Sequence, residues 1–106
     1  MEIVNRRYHT PTPLDVYIAR PSPLGNPYSH KADTLAQFRV ASRRDAIAAY
    51  EAWLRERLAQ RDAAVLAEFA RLSESSVLVC WCDPEPCHGV VVVKLWRAWA
   101  RAGDAT

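Results

Sequence analysis

The sequence predicts a small α/β domain in which a short, partly parallel sheet packs against about three helices. Short apolar segments of strand length alternate with longer segments whose apolar residues recur every three or four positions. Two of the strand-like segments are each followed by a loop and then by helix, an order that favours a parallel pair of strands. At 106 residues the chain is long enough for one modest core, so we expect a single domain over residues 1–106.

Three segments have the composition of strands. Residues 2–5 include the apolar pair Ile3 and Val4, and residues 15–20 combine β-branched and aromatic side chains before a turn. Residues 76–82 form a continuous apolar run, which indicates a strand buried on both faces. Five of the seven prolines lie within residues 11–27, so fixed φ angles rather than helix shape that region.

Three further segments have helical periodicity. Ser42 and Asp45 resemble a capping box at the start of a helix with an apolar stripe over residues 47–58. A second helix is predicted from Asp62 to the serine-rich segment 73–76. The last helix is predicted over residues 88–101. Its valines at 90–93 have strand propensity, but the length and the spacing of the apolar residues that follow favour helix.

Composition and charge exclude several classes of protein. A net charge of +2, with arginines spread along the chain, indicates nucleic-acid binding only weakly. The sequence has no apolar run of about 18 residues, so we expect no transmembrane helix and no membrane partner. The polar N-terminus lacks a signal-peptide core, which favours a cytoplasmic protein. Three clustered cysteines are typical of reduced thiols rather than of a secreted disulfide scaffold.

The strongest functional signal is the stretch 77–89, which holds all three cysteines and one of the three histidines. An apolar strand ends in Cys80 and Cys82, two prolines force a turn, and Cys87 and His88 open the last predicted helix. Three thiolates and an imidazole would complete a tetrahedral zinc site formed by these four residues. Against zinc, Cys-x-Cys is less usual than Cys-x2-Cys, and two adjacent residues are awkward ligands for one ion.

Two other interpretations of the same stretch stay open. A cysteine at a helix N-terminus is stabilised as the thiolate, so Cys82 or Cys87 is a candidate nucleophile with His88 as its general base. Alternatively the cluster is plain packing, because cysteine is among the most buried residue types and Cys80 lies on a buried strand. The residues alone do not choose between metal binding, thiol chemistry and packing.

A second candidate site lies in the rigid loop over residues 20–28. The guanidinium of Arg20 suits phosphate or carboxylate, Ser22 and Asn26 can hydrogen-bond a ligand, and Gly25 tolerates a tight turn. The loop has one glycine and no Lys-Ser or Lys-Thr pair, so it is not a P-loop. The competing interpretation is a rigid turn with a solvated arginine. Because ligands bind beyond the carboxyl ends of parallel strands, we expect this loop and residues 80–88 at one edge of the sheet.

Three segments together resemble the family of uncharacterised domains DUF4326: residues 4–28, residues 45–54 and residues 78–89. The closing segment resembles a second uncharacterised group, DUF488, more faintly. The DUF4326 resemblance implies a phage or bacterial protein and makes the two loops its defining features, but it implies no known activity. The residues that fall on its motif positions are Cys80, Cys82, Cys87, His88, Arg20, Gly25 and Asn26.

Two departures from the family pattern bear on function. Ala19 stands where a glycine is usual, and Val90 stands where an acidic residue commonly follows Cys-His-Gly. If that acidic residue is catalytic in relatives, Val90 argues against enzymatic activity in this chain.

These observations lead to one main hypothesis and two alternatives. The main hypothesis is a domain that binds a nucleotide or another anionic metabolite, held by Arg20 and the last helix, with chemistry at Cys82, Cys87 and His88. The first alternative is a non-enzymatic, zinc-stabilised module that binds a protein partner such as a host factor. The second alternative is weak nucleic-acid binding.

Overall fold

The computed structural model describes residues 1–29, 38–81 and 87–104, and these residues have the predicted α/β fold. A three-stranded sheet contains β1 (Glu2–Asn5), β2 (Asp15–Tyr17) and β5 (Val77–Cys80) in the order β1-β5-β2. Both pairings are parallel, with Asn5 opposite Cys80 and Tyr17 opposite Val79. The parallel pairing expected from the sequence is therefore confirmed, with the last strand of the chain in the centre.

Two strands are shorter than predicted. β2 ends at Tyr17 rather than at residue 20, and β5 ends at Cys80 rather than at residue 82. A second, two-stranded parallel sheet, β3 (Tyr28–Ser29) with β4 (Phe38–Arg39), was not predicted. Strands of two residues are too short to produce an alternating pattern of apolar side chains, so the sequence has no signal for them.

The three helices in the described ranges begin within one residue of their predicted starts. α1 (Arg43–Ala59) follows Ser42, whose hydroxyl accepts a hydrogen bond from the Asp45 amide at 3.1 Å. α2 (Ala63–Arg71) follows Asp62, whose carboxylate accepts from two amide groups of the first turn. α3 (Gly89–Asp104) includes the four valines at 90–93, whose strand propensity competes with the helical spacing of the segment. The predicted helix is confirmed there. Val91 and Val92 lie on the buried face of this amphipathic helix, and Val90 lies on its exposed face.

The core lies between one face of the main sheet and the helices. Leu78 and Cys80 of β5 pack in the same buried cluster as Tyr50 of α1 and Val92 of α3. Side chains alternate along a strand, so the residue that follows Cys80, Trp81, turns to the opposite side and is exposed. The end of β5 thus separates a buried side from a solvent-facing side.

Across the three described ranges, no helix combines the length and the apolar character needed to cross a membrane.

Candidate functional site

The described residues of the two loops singled out in the sequence lie at the carboxyl edge of the three-stranded sheet. Residues 18–28 follow β2, and the residues after Cys80 follow the neighbouring strand β5. His88, just before α3, joins them directly, because its Nε2 lies 2.6 Å from the carbonyl oxygen of Ile18. This contact links residues 70 positions apart in sequence and fixes the start of α3 against the end of β2.

Cys87 lies at the centre of the buried part of this edge. Its Sγ is 3.1 Å from Cys80 Sγ and 3.6 Å from His88 Nδ1, and it accepts a hydrogen bond from the Gly89 amide at 3.4 Å. Cys80, Cys87 and His88 expose 1%, 3% and 7% of their surfaces. The structure therefore brings together three of the four residues of the predicted cysteine–histidine cluster. The fourth, Cys82, lies outside the described residues.

The tautomer of His88 follows from its neighbours. A backbone carbonyl can only accept a hydrogen bond, so His88 Nε2 carries the proton and donates to Ile18. In the neutral ring Nδ1 then holds a lone pair, and this atom is the one next to Cys87 Sγ. The arrangement allows the thiol proton of Cys87 to move to Nδ1, giving a thiolate–imidazolium pair.

Tyr50 connects the cysteine–histidine cluster to the other loop, and the sequence analysis missed this role. Its ring meets the His88 ring edge-on at 4.9 Å between centroids, and its hydroxyl donates to the Leu24 carbonyl at 2.7 Å. Burial raises the pKa of Tyr50 above its usual range, and the thiolate form of nearby Cys87 raises it further. The phenol therefore stays protonated and keeps its hydrogen bond. In the sequence Tyr50 is one member of an apolar helical stripe, which gives no sign of a polar contact.

Much of the loop over residues 20–28 is held by its own polar groups. Arg20 Nη1 donates to the carbonyls of Asn26 and Tyr28 at 2.6 and 3.5 Å. The buried amide of Asn26 donates to the Ala46 carbonyl and accepts from the Tyr28 backbone, so this predicted ligand residue positions the loop on α1. At Gly25 a Cβ would lie 2.9 Å from the Arg20 backbone, which leaves space only for glycine.

Among the described residues, the Ser22 hydroxyl and part of the Arg20 guanidinium do not take part in holding the loop. Ser22 Oγ is buried and has no hydrogen-bond partner in the described part of the chain. Arg20 is only half-buried, and within the same residues it pairs with no carboxylate and uses only Nη1 in hydrogen bonds. A buried hydroxyl without a partner is costly, so a ligand oxygen or a water molecule would stabilise it.

The solvent-facing side of the edge has a cluster that the sequence analysis also missed. Trp81 is 54% exposed, and its Nε1 donates to the Tyr17 hydroxyl at 2.9 Å. The Arg6 guanidinium lies 5.7 Å from the centre of the Tyr17 ring and 5.9 Å from that of Trp81. Asn5 Nδ2 donates to the Trp81 carbonyl at 3.1 Å. We call Arg6, Tyr17 and Trp81 the aromatic–arginine cluster. Only the strand pairing brings them together, so no local motif could have shown them.

The spacing of the cysteine and histidine side chains bears on whether they can bind a metal ion. The residues described contain no group of three or more His, Cys, Asp or Glu side chains arranged to hold a metal ion. Two thiolates on one tetrahedral zinc lie about 3.8 Å apart, given a Zn–S bond of about 2.3 Å. The sulfurs of Cys80 and Cys87 are 3.1 Å apart and would have to separate by about 0.7 Å to bind zinc.

Fold and site together define a small parallel α/β domain with a cysteine–histidine cluster at the carboxyl edge of its sheet. The family model described as "Domain of unknown function (DUF4326)" matches residues 4–98, so the chain belongs to this family. The match includes both loops of the candidate site. No curated protein and no solved structure matches the chain.

Proposed function

We propose that this domain binds a nucleotide or a related anionic metabolite at the carboxyl edge of its sheet, and that Cys87 and His88 act on the bound molecule. The observation that carries the proposal is the exposed aromatic–arginine cluster on the edge that also holds Arg20. A nucleotide has a flat base and an anionic group. Trp81 offers a face for stacking, and Arg6 supplies positive charge without a carboxylate partner in the described residues.

The loop over residues 20–28 supplies the second half of the ligand site. The Nε and Nη2 atoms of Arg20 have no partner in the described ranges, and a guanidinium fork suits phosphate oxygens. The buried hydroxyl of Ser22 can donate to such an oxygen. Gly25 and Asn26 contribute by fixing the loop. At the start of α3, the Gly89 amide donates to Cys87 Sγ rather than to an external anion, so Arg20 is the principal anion ligand in this proposal.

The chemistry rests on the surroundings of Cys87. His88 Nδ1 can take the thiol proton, and the Gly89 amide at the start of α3 donates to the sulfur, which together favour the thiolate. Because Cys87 is 3% exposed, its reaction with a substrate requires local opening of the edge. Cys82 stays a candidate for the same role.

Calorimetric titration with inorganic phosphate, ribose 5-phosphate, adenosine and AMP tests this proposal. We expect AMP to bind more tightly than either half-ligand. Trp81→Ala should weaken AMP binding by about fivefold or more, because stacking contributes about 1–3 kcal/mol per base. Arg20→Ala and the milder Arg20→Lys should weaken phosphate and AMP but not adenosine. Arg44→Ala, which removes an exposed arginine of α1, is the matched control and should change nothing.

Three results would overturn the proposal. One is unchanged AMP affinity in Arg20→Ala that retains the wild-type circular dichroism spectrum. Another is the absence of binding for all four compounds. The third is tight binding of a single-stranded oligonucleotide, with an affinity that falls steeply with salt, in place of AMP. That last result would instead support the nucleic-acid alternative, for which exposed Tyr8, with the Arg7 guanidinium 5.8 Å from the centre of its ring, offers a further arginine–aromatic pair.

The second candidate function is a zinc-stabilised module that binds a protein partner, and the tautomer of His88 favours it. Histidines that bind metals usually donate their other ring N–H to a backbone carbonyl or carboxylate, as His88 Nε2 does to Ile18. Nδ1 would then be the ligand atom, with the thiolates of Cys80, Cys82 and Cys87 completing four donors.

Metal analysis separates the two candidates. One zinc per purified chain, lost with the fold on chelation, would support the module and argue against a free catalytic thiol. A metal-free, folded protein would leave the thiol proposal in place.

A further inference from the structure

We infer that Cys80 and Cys87 form a redox-active dithiol that closes to an intramolecular disulfide when a peroxide oxidises Cys87. The inference rests on the position of two sulfurs and does not depend on the ligand proposed above. It assigns a covalent modification to a cluster that the proposed function uses only in its reduced form.

The two sulfurs are placed for a bond by the main elements of the fold. Cys80 is the last residue of the central strand β5, and Cys87 lies two residues before the first residue of α3. Their Sγ atoms are 3.1 Å apart and in direct contact. A disulfide needs about 2.05 Å, so closure requires a movement of about 1 Å.

The surroundings of Cys87 make it the sulfur that reacts first. The Gly89 amide donates to Cys87 Sγ, and His88 Nδ1 lies 3.6 Å away, ready to hold its proton. In the structure the Cys87 thiol donates to Cys80 Sγ at 3.1 Å. Once Cys87 has lost its proton, the Cys80 thiol can donate to the Cys87 thiolate over the same contact. A thiolate that accepts from an amide at a helix N-terminus and lies beside an imidazolium is the reactive form of cysteine. Cys80 is correspondingly the resolving thiol.

The reaction balances with hydrogen peroxide as the oxidant. Cys87 sulfur attacks one peroxide oxygen, an S–O bond forms, the O–O bond breaks, and the hydroxide that leaves takes the proton from His88 to become water. Cys80 sulfur then attacks the Cys87 sulfur, an S–S bond forms, and the S–O bond breaks with loss of a second water. Overall the two thiols lose two electrons and two protons, and one peroxide is reduced to two waters.

The test uses Cys82→Ser, in which Cys80 and Cys87 are the only cysteines. After treatment of the folded protein with a small excess of hydrogen peroxide, we expect the intact mass to fall by two hydrogens. The number of thiols found by titration should fall from two to none, and reduction with dithiothreitol should restore both thiols. Peptide mapping without reduction should place the bond between Cys80 and Cys87. The wild-type chain should form the same bond and keep Cys82 as its free thiol.

Two further variants assign the separate roles. In Cys80→Ser the oxidation should stop at a sulfenic acid on Cys87. Dimedone should trap this sulfenic acid, and the adduct should be seen as a mass increase of the peptide that contains Cys87. Cys87→Ser should leave Cys80 unmodified at the same peroxide concentration. Circular dichroism of each variant before treatment checks that it is folded.

Several outcomes would overturn the inference. The first is that both thiols of folded Cys82→Ser remain unoxidised after peroxide treatment. The second is a disulfide between two chains, and the third is a disulfide in the wild-type protein that involves Cys82. The fourth is a zinc ion that stays bound to both thiols during oxidation. The first three of these outcomes leave the nucleotide titration unaffected, because that titration is made on the reduced protein. Bound zinc would also argue against the free catalytic thiol of the proposed function, and metal analysis identifies that case. Failure of the dithiol without zinc and failure of the proposed function are therefore separate results.

Discussion

Both loops at the carboxyl edge carry polar side chains, but they use them differently. The loop over residues 20–28 holds itself together, with Arg20 and Asn26 hydrogen-bonded to backbone groups. In the other loop the side chains of Cys80, Cys87 and His88 contact one another. Residue type alone does not distinguish a residue that holds the loop from one that can react. The hydrogen-bond partner of each polar atom distinguishes them, and single substitutions can remove those partners one at a time.

Gly25→Ala should have the largest effect on stability. Its Cβ would lie 2.9 Å from the Cα and N atoms of Arg20 and 3.0 Å from the Ser22 carbonyl, and backbone atoms cannot move aside as a side chain can. Overpacking typically costs about 1–3 kcal/mol. Because rigid backbone is in the way, we expect a loss in the upper part of that range, about 2–3 kcal/mol, in the free energy of unfolding measured by urea denaturation.

The matched control for this prediction is Gly103→Ala. Nothing lies within 4 Å of a Cβ at Gly103, which is in the last turn of α3. There alanine should be neutral or stabilising by up to about 1 kcal/mol, as expected for a helical position. Equal effects of the two substitutions would show that the loop over residues 20–28 is not held tightly.

Removal of a hydroxyl at Tyr50 should have the next largest effect, because it breaks the link between the two loops. Tyr50→Phe leaves the buried Leu24 carbonyl without its 2.7 Å partner, and an unpaired buried group costs about 1–3 kcal/mol. Tyr17→Phe, which removes an acceptor of the exposed Trp81, should cost only a few tenths of a kcal/mol because water replaces it. Thermal denaturation of the pair measures the difference, and the reverse order would contradict a structural role for Tyr50.

Ser22→Ala separates stability from ligand binding. The Ser22 hydroxyl is buried without a partner in the described residues, so its removal should leave stability unchanged or raise it by about 1 kcal/mol or less. If the hydroxyl serves a ligand, AMP affinity should fall by roughly three- to tenfold at the same time, the loss of about one hydrogen bond. Lower stability together with unchanged affinity would show instead that Ser22 serves the loop.

Much of the fold could be predicted from the sequence, because its signals are local. The Ser42 cap and the apolar spacing of α1 and α3 depend on neighbouring residues, and the strand–loop–helix order predicts the parallel pairing. The two-residue strands β3 and β4 have no such signal. Predicting the site needed contacts between distant residues. Trp81 reaches Tyr17 only because β2 lies next to β5, and Cys80 reaches Cys87 only because α3 packs on the same face as Cys80.

The smallest predicted effect lies at the opposite end of β2, where a polar cluster has a structural role alone. Asp15 is affected by desolvation, which raises its pKa, but hydrogen bonds from His9 and Thr12 outweigh this and hold the pKa below its ordinary value of 3.8. The stability that this carboxylate contributes is therefore present well above pH 3.8 and is lost as the pH falls through the lowered folded-state pKa. In Asp15→Asn, urea unfolding at pH 5 and pH 3 should differ less than in the wild type. Glu2→Gln, which removes an exposed carboxylate of β1 that has no ion pair in the described residues, should keep the wild-type difference. A wild-type pH response in Asp15→Asn would show that the acid sensitivity of the fold arises elsewhere, and the carboxyl edge would be the first place to look.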